Sequence, residues 1–210
     1  MVAAFGTGAR LKYARGDKTA PDLRLAEGVE IAKALQLPRL EAALVYEQVR
    51  LAAMSSQDID VSLAQRVRSQ GTQALDGIGN LTAEFREDSQ IRLLLVDGES
   101  SALADAYSRA RARRDHIDQR KRPRAHLRAS LQLAFSLAAA GKRGDASHVL
   151  APALRTCAAL GLRRLLLDEG PMMVRLAMET VAADEFSYTD PALVENVRDF
   201  VLGLVETPTV

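Results

Sequence analysis

Four short polar breaks interrupt the apolar helical pattern of this chain at nearly equal intervals. They fall at Gly16 in ARGD, Ser56 in MSSQD, Gly98 in VDGES and Gly141 in AAGKRGD, separated by 40, 42 and 43 residues. A period of that size holds two helices and a turn, and such a pair cannot bury its apolar face alone. Units of this kind share one core with their neighbours and build a quasi-one-dimensional array. The period therefore predicts an all-α fold, a right-handed α-solenoid of helix pairs repeating every 40–43 residues.

Columns aligned on the breaks repeat as well. Six residues before each of the first three stands an arginine followed by leucine: Arg10-Leu11, Arg50-Leu51 and Arg92-Leu93. The fourth unit has Phe135-Ser136 there. Independently, LAEGVEIAKALQLPR (25–39) aligns without gaps to LAPALRTCAALGLRR (150–164), with six of fifteen positions identical at an offset of 125. The last unit thus echoes the first, three periods on.

The expected helices are 3–14 with 22–36, 39–54 with 58–70, 83–95 with 100–118, and 123–140 with 144–160. Gly16 closes the first, Asp22 opens the second, and Asp58 caps the fourth. Residues 71–80, GTQALDGIGN, carry three glycines and are the loosest connection. The array is expected over 1–164. A C-terminal helical extension follows over 165–210, with helices near 171–183 and 191–204 and a frayed ETPTV tail. Composition agrees: Ala and Leu supply 65 of 210 residues, Trp is absent, and Tyr and Phe total nine. That balance favours helix over a β-sandwich or barrel.

The hairpins ARGDKTAPDLRLAEGVEIAKALQLPR (14–39) and AGKRGDASHVLAPALRTCAALGLRR (140–164), followed by RRLLLDEGPMM (163–173), resemble a known family. They are similar to the helical-repeat region of large ATP-dependent LuxR-family transcriptional regulators, the maltose-activator class. There a signal-responsive array of tetratricopeptide-like pairs lies between an ATPase module and a C-terminal helix-turn-helix. The resemblance covers residues 9–183. It implies a cytoplasmic, non-catalytic region that binds a small-molecule inducer or a protein or peptide partner on its concave face. It also implies neighbouring ATPase and DNA-binding domains in a longer protein. This chain departs from the whole pattern. It has no phosphate-binding GxxxxGK[ST], since GTGARLK (6–12) and AGKRGD (140–145) lack the spacing, and no helix-turn-helix follows residue 183. The alternative is a stand-alone adaptor that holds a peptide or protein partner.

First helices of such arrays line the binding face, so a ligand site is expected at Tyr46, Arg50, Arg92, Arg128 and Gln132. They offer an aromatic edge, cations and an amide, a chemistry for an anionic or polar ligand or an acidic peptide. The other reading of the arginine column is structural, each guanidinium tying down a neighbouring helix or a local Glu. Asp168-Glu169-Gly170-Pro171 reads as a structural motif, with two acids before a helix N-terminus and proline at its first position.

The remaining signals exclude more than they assign. Net charge is +1, which points to neither nucleic acid nor a membrane surface. Residues 109–128 hold nine Lys and Arg against Asp115 and Asp118. They carry no interleaved aromatics and no groove-reading motif, so no sequence-specific DNA binding is expected. His116, His126 and His148 are scattered, and no metal or cofactor is expected. Cys157, the single cysteine, aligns with Ala32 and reads as core; one cysteine allows no internal disulfide and fits a reducing compartment. No apolar run reaches membrane-spanning length. No nucleophile–base or paired-carboxylate frame is present, so no enzymatic activity is expected.

Overall fold

The computed structural model describes residues 2–17, 20–54, 59–71, 78–183 and 191–206. Among these residues there are eleven helices and no strand. The chain forms two compact units, residues 1–96 and 97–209, and each is taken in turn.

The first unit holds α1 (Val2–Ala14), α2 (Ala20–Ala34), α3 (Pro38–Met54), α4 (Val61–Ser69) and α5 (Ile78–Asp97). Helices α1, α2 and α3 pack against one another, and α4 rests on α3. Leu25, Val29 and Ala32 recur at i, i+4 and i+7 on α2, so they form one stripe, and all three are fully buried. They meet Leu40, Leu44, Val45 and Val49 of α3 and Ala9 of α1 in a common core. Gly28 lets these helices approach closely. A Cβ there would stand 2.9 Å from Leu44 Cδ1 and 3.0 Å from the Phe5 ring.

Helix α4 begins later than its pattern suggested. Asp60 is its cap, with Oδ1 accepting from the backbone N–H of Ser62 at 2.9 Å and of Leu63 at 3.2 Å. The expected cap Asp58 lies outside the described residues, as do Ser56 and the ETPTV tail beyond Glu206. Helix α5 is longer than the predicted 83–95 and takes in Gly79 and Asn80 from the expected loop.

The second unit holds α6 (Ser100–His116), α7 (Pro123–Ala139), α8 (Arg143–Ala159), the short α9 (Arg163–Leu167), α10 (Pro171–Ala182) and α11 (Pro191–Glu206). α6 packs on α7, α7 on α8, α8 on α10, and α11 on both α8 and α10. Leu127, Leu131 and Ala134 of α7 are buried as one stripe, with Phe135 half-buried at its edge. Leu150, Leu154 and Cys157 of α8, which packs on α7, are fully buried.

The sequence echo at offset 125 is also an echo in burial and backbone. Leu25, Val29 and Ala32 correspond to Leu150, Leu154 and Cys157, and all six are 0% exposed. Both helices end the same way. Leu37 N–H donates to the Ala32 carbonyl and Leu162 N–H to the Cys157 carbonyl, each at 2.8 Å. The residue between helix and donor is left-handed in both, Gln36 at φ 53° and Gly161 at φ 63°. This is the Schellman closure, which satisfies carbonyls that the helix end would leave bare. It recurs where α1 ends at Gly16 (φ 81°) and α7 at Gly141 (φ 77°), with Asp17 N–H bonded to the Lys12 carbonyl and Lys142 N–H to the Leu137 carbonyl.

Two substitutions follow from this backbone. A non-glycine residue in the left-handed region costs about 1–2 kcal/mol, so Gln36→Gly is expected to stabilise the chain by up to about 1 kcal/mol after its unfolded-state entropy is counted. Gly28→Ala is expected to destabilise: overpacking costs about 1–3 kcal/mol, against a helix-propensity gain of at most about 1 kcal/mol. Urea midpoints of the two variants should move in opposite directions, and a higher midpoint for Gly28→Ala would show that Phe5 and Leu44 yield freely.

Candidate functional site: a buried ion cluster on α3

The sequence-predicted residues divide between the two units. Tyr46 and Arg50 on α3 and Arg92 on α5 belong to the first, and Arg128 and Gln132 on α7 to the second. None of the first three faces solvent: they are 4%, 2% and 7% exposed. Gln132 is buried, and Arg128, one turn earlier, is half-buried.

The centre of the first-unit cluster is Glu47, which sequence reasoning passed over. Its buried carboxylate receives Arg50 from the same helix, through Nη2 at 2.9 Å and Nε at 3.1 Å. It also receives Arg10 across from α1, through Nε at 3.2 Å and through a second, closer contact from Nη2. Two members of the arginine column thus converge on one acid. Arg50 also lies 3.3 Å from the Met54 sulfur. Burial alone would raise the Glu47 carboxyl pKa. The Arg50 charge and the Arg10 hydrogen bond outweigh it and hold that carboxyl below its ordinary range.

The third column member engages an aromatic. The Arg92 guanidinium sits 5.4 Å over the Tyr46 ring, and its Nη2 donates to the tyrosine hydroxyl at 3.3 Å. Phe85 of α5 packs against the same ring at 5.9 Å between centroids. So Tyr46 and Arg92 are brought together, and Arg50 lies one turn along α3 from Tyr46. Thr82, Asp88 and Ser89 are buried on α5 beside Arg92 in sequence. The arrangement can bind an anion at the arginines only if that anion competes with Glu47, because a buried guanidinium gives up a carboxylate only for an equivalent partner. The signal that could have found Glu47 was its position three residues before Arg50, on the face that the helical period turns inward.

The Asp168–Pro171 motif resolves into a turn. Asp168 closes α9 and its carboxylate lies 3.7 Å from Arg164. Gly170 is buried at φ 94°, a conformation that favours glycine, and Pro171 starts α10. Cys157 is fully buried, and burial pushes its thiol up to about 11, which makes it a poor nucleophile at neutral pH. Among the described residues no group of His, Cys, Asp and Glu is placed to hold a metal ion. No helix among them is long and apolar enough to cross a membrane.

The chain is similar to a named bacterial protein. It is 39% identical over 171 residues to serine/threonine-protein kinase PknK of Mycobacterium tuberculosis, in strains CDC 1551 / Oshkosh and ATCC 25618 / H37Rv. It stands in the same relation to the protein of that name in Mycobacterium bovis. The match takes in 81% of this chain, and the chain spans 15% of the relatives' length. No family model matches the chain, and no solved structure matches it.

Removing the central acid tests the cluster. Glu47→Ala is expected to cost about 3–5 kcal/mol, because it strands the buried Arg50 charge. The pH dependence has a definite sign. The folded-state pKa of Glu47 is depressed, so its contribution is complete above the unfolded carboxyl pKa and is lost as pH falls through the lower folded value. The stability gap between the parent chain and Glu47→Ala should therefore be constant at neutral pH and narrow on acidification. A gap that stayed constant down to the acid transition would show that Glu47 is not ionised in the fold.

Proposed function

We propose that this chain is a sensing module without chemistry of its own: the signal-sensing and protein-interaction repeat region of a LuxR-type transcriptional regulator, working in the cytoplasm. In this proposal the helix pairs form a right-handed solenoid of tetratricopeptide-like units. A small-molecule inducer or a protein or peptide partner binds a concave face of the array, and because Tyr46, Arg50 and Arg92 are buried, a ligand reaches them only by displacing their present partners. Binding works by differential affinity: the ligand favours one packing of the array over another, and neighbouring domains respond.

The observation that carries the reading is the repeated hairpin closure, in which Leu37–Ala32 and Leu162–Cys157 make the same 2.8 Å bond beyond the same fully buried stripe. Two copies of one supersecondary unit, 125 residues apart, are what a repeat array produces and what an enzyme core does not need. The match over 15% of a far longer relative favours a region of a multidomain protein over the stand-alone adaptor. The relative's name raises phosphoryl transfer. This sequence carries no glycine-rich phosphate loop, so the proposal gives these residues the binding role and leaves transfer chemistry to other parts of such a protein.

The chain is expected neither to hydrolyse ATP, nor to phosphorylate a generic protein acceptor, nor to bind duplex DNA with sequence preference. A ligand at a hundred times its Kd should stabilise it by about 2.7 kcal/mol, read as a rise in Tm across a panel of acidic peptides and small anions. The full reading frame gives the second arm: an upstream ATPase module and a downstream helix-turn-helix support the regulator. Phosphate transfer by the chain itself would sink the proposal, as would a reading frame with neither module.

A further inference from the structure

Several arginines among the described residues are neutralised by the acid that positions them. Arg10 and Arg50 share Glu47, and Arg143 at the start of α8 is paired with Glu179 of α10. One pair of cations in the second unit is positioned differently. Lys142, in the turn between α7 and α8, places its ammonium 4.6 Å over the ring of Tyr107 on α6. Arg111, one turn further along α6, donates through Nη1 to the hydroxyl of the same tyrosine at 3.2 Å. A ring face and a phenol oxygen fix a cation without cancelling its charge. Lys142 has no carboxylate partner among the described residues. The nearest acid to Arg111 is Asp115 at 3.9 Å, with both side chains more than half exposed, where such a pair is weak and screened.

We infer that Tyr107, Arg111 and Lys142 form a docking point for an acidic protein segment, with Lys142 and Arg111 each receiving a carboxylate. Both cations are exposed and Tyr107 is half-buried, so the ring is a fixed post and the charges face water. Because the post already restricts the two side chains, less rotamer freedom is lost on binding than from free surface cations. The same geometry disfavours a nucleic acid. Single strands bind through stacking on open aromatic faces, and here Lys142 occupies a face of Tyr107, which is the only Phe, Tyr or Trp on α6. Asp105 and Asp115, both exposed on that helix, would repel a continuous phosphate backbone, whereas separate carboxylates pass between them. The site is apart from the α3, α5 and α7 residues above and does not rest on them.

A short fluorescein-labelled peptide of alternating Glu and Ser, titrated by anisotropy against the full chain, tests this. Arg111→Ala combined with Lys142→Ala is expected to weaken binding about tenfold or more, as loss of a charge pair at an interface does. Lys121→Ala combined with Arg124→Ala removes as much charge from the neighbouring α6–α7 segment and is expected to change it less than about twofold, a long-range screened effect. Tyr107→Phe keeps the ring but removes the acceptor for Arg111, and should fall between. Both double variants should keep the parent Tm, since the side chains they alter are exposed. Equal losses from the two double variants would overturn the inference, because attraction would then be diffuse. So would the absence of saturable binding, or a single-stranded oligonucleotide of equal charge binding as tightly as the peptide.

Discussion

Helix ends govern this protein more than helix interiors do. An α-helix leaves its last carbonyls without partners, and a chain made of short helices has many such ends to satisfy. At Gly16, Gln36, Gly141 and Gly161 one device serves: a left-handed residue, followed by an N–H that reaches back to a carbonyl in the helix's last turn. The device also sets direction. It turns the chain sharply enough that the following helix, α2, α3 or α8, packs back on the one before, and the α9 segment comes back onto α8. Buried stripes such as Leu25, Val29 and Ala32 then find partners only because the turn has delivered them. Three of these positions are glycine. Gln36 meets the same demand with a side chain, which marks it as a place where the closure outweighs local preference.

The second constraint is electrostatic. A carboxylate with the exposure of Glu47 is costly to bury unless other groups replace its water. Two arginines from different helices do so, and the cluster thereby ties α1 to α3 at a defined register. Apolar packing alone specifies that register weakly, since α1 is rich in alanine and glycine and offers few large side chains. An ion cluster adds little net stability compared with a packed hydrophobic core, yet it penalises any arrangement that separates its members. Its role in this unit is consistent with specifying one arrangement of α1 on α3.

How much of this was legible in the sequence depended on whether the signal was periodic or pairwise. Helix positions came from the repeat of apolar residues, and α3, α7, α8 and α10 fall within two residues of where the pattern put them. The start of α4 was harder, because Asp58 and Asp60 are both cap-forming residues in sequence, and the structure shows Asp60 accepting from the backbone of Ser62 and Leu63. The arginine column was visible, and of its two readings the structural one, a tie to a neighbouring helix or a local Glu, describes Arg10 and Arg50. Arg10, Arg50 and Arg92 share a sequence position and use it differently: two converge on Glu47, and the third lies on Tyr46. Sequence spacing gives the helix face of a residue and not the depth to which a neighbour covers it. Cys157 was the easier case, because its alignment with Ala32 already required a small, buried residue.

Whether a cation holds the fold together or meets a partner is decided by what fixes it in place. Arg50 is fixed by an acid and buried, so its charge is spent inside the protein and little field reaches the solvent. Lys142 is fixed by a ring and exposed, so its charge remains available. The composition of the two neighbourhoods is similar, each with a tyrosine, an arginine and a nearby acid, and a count of residues would rank them alike. Geometry separates them, since Glu47 is buried between two guanidinium groups while Asp115, beside Arg111, lies in water. On that ground the basic character of residues 109–128 is not uniform. Part of it is paired with local acids, as Arg109 is with Asp105 and Lys121 with Asp118, and Arg111 is held by the Tyr107 hydroxyl where α6 meets the turn before α8.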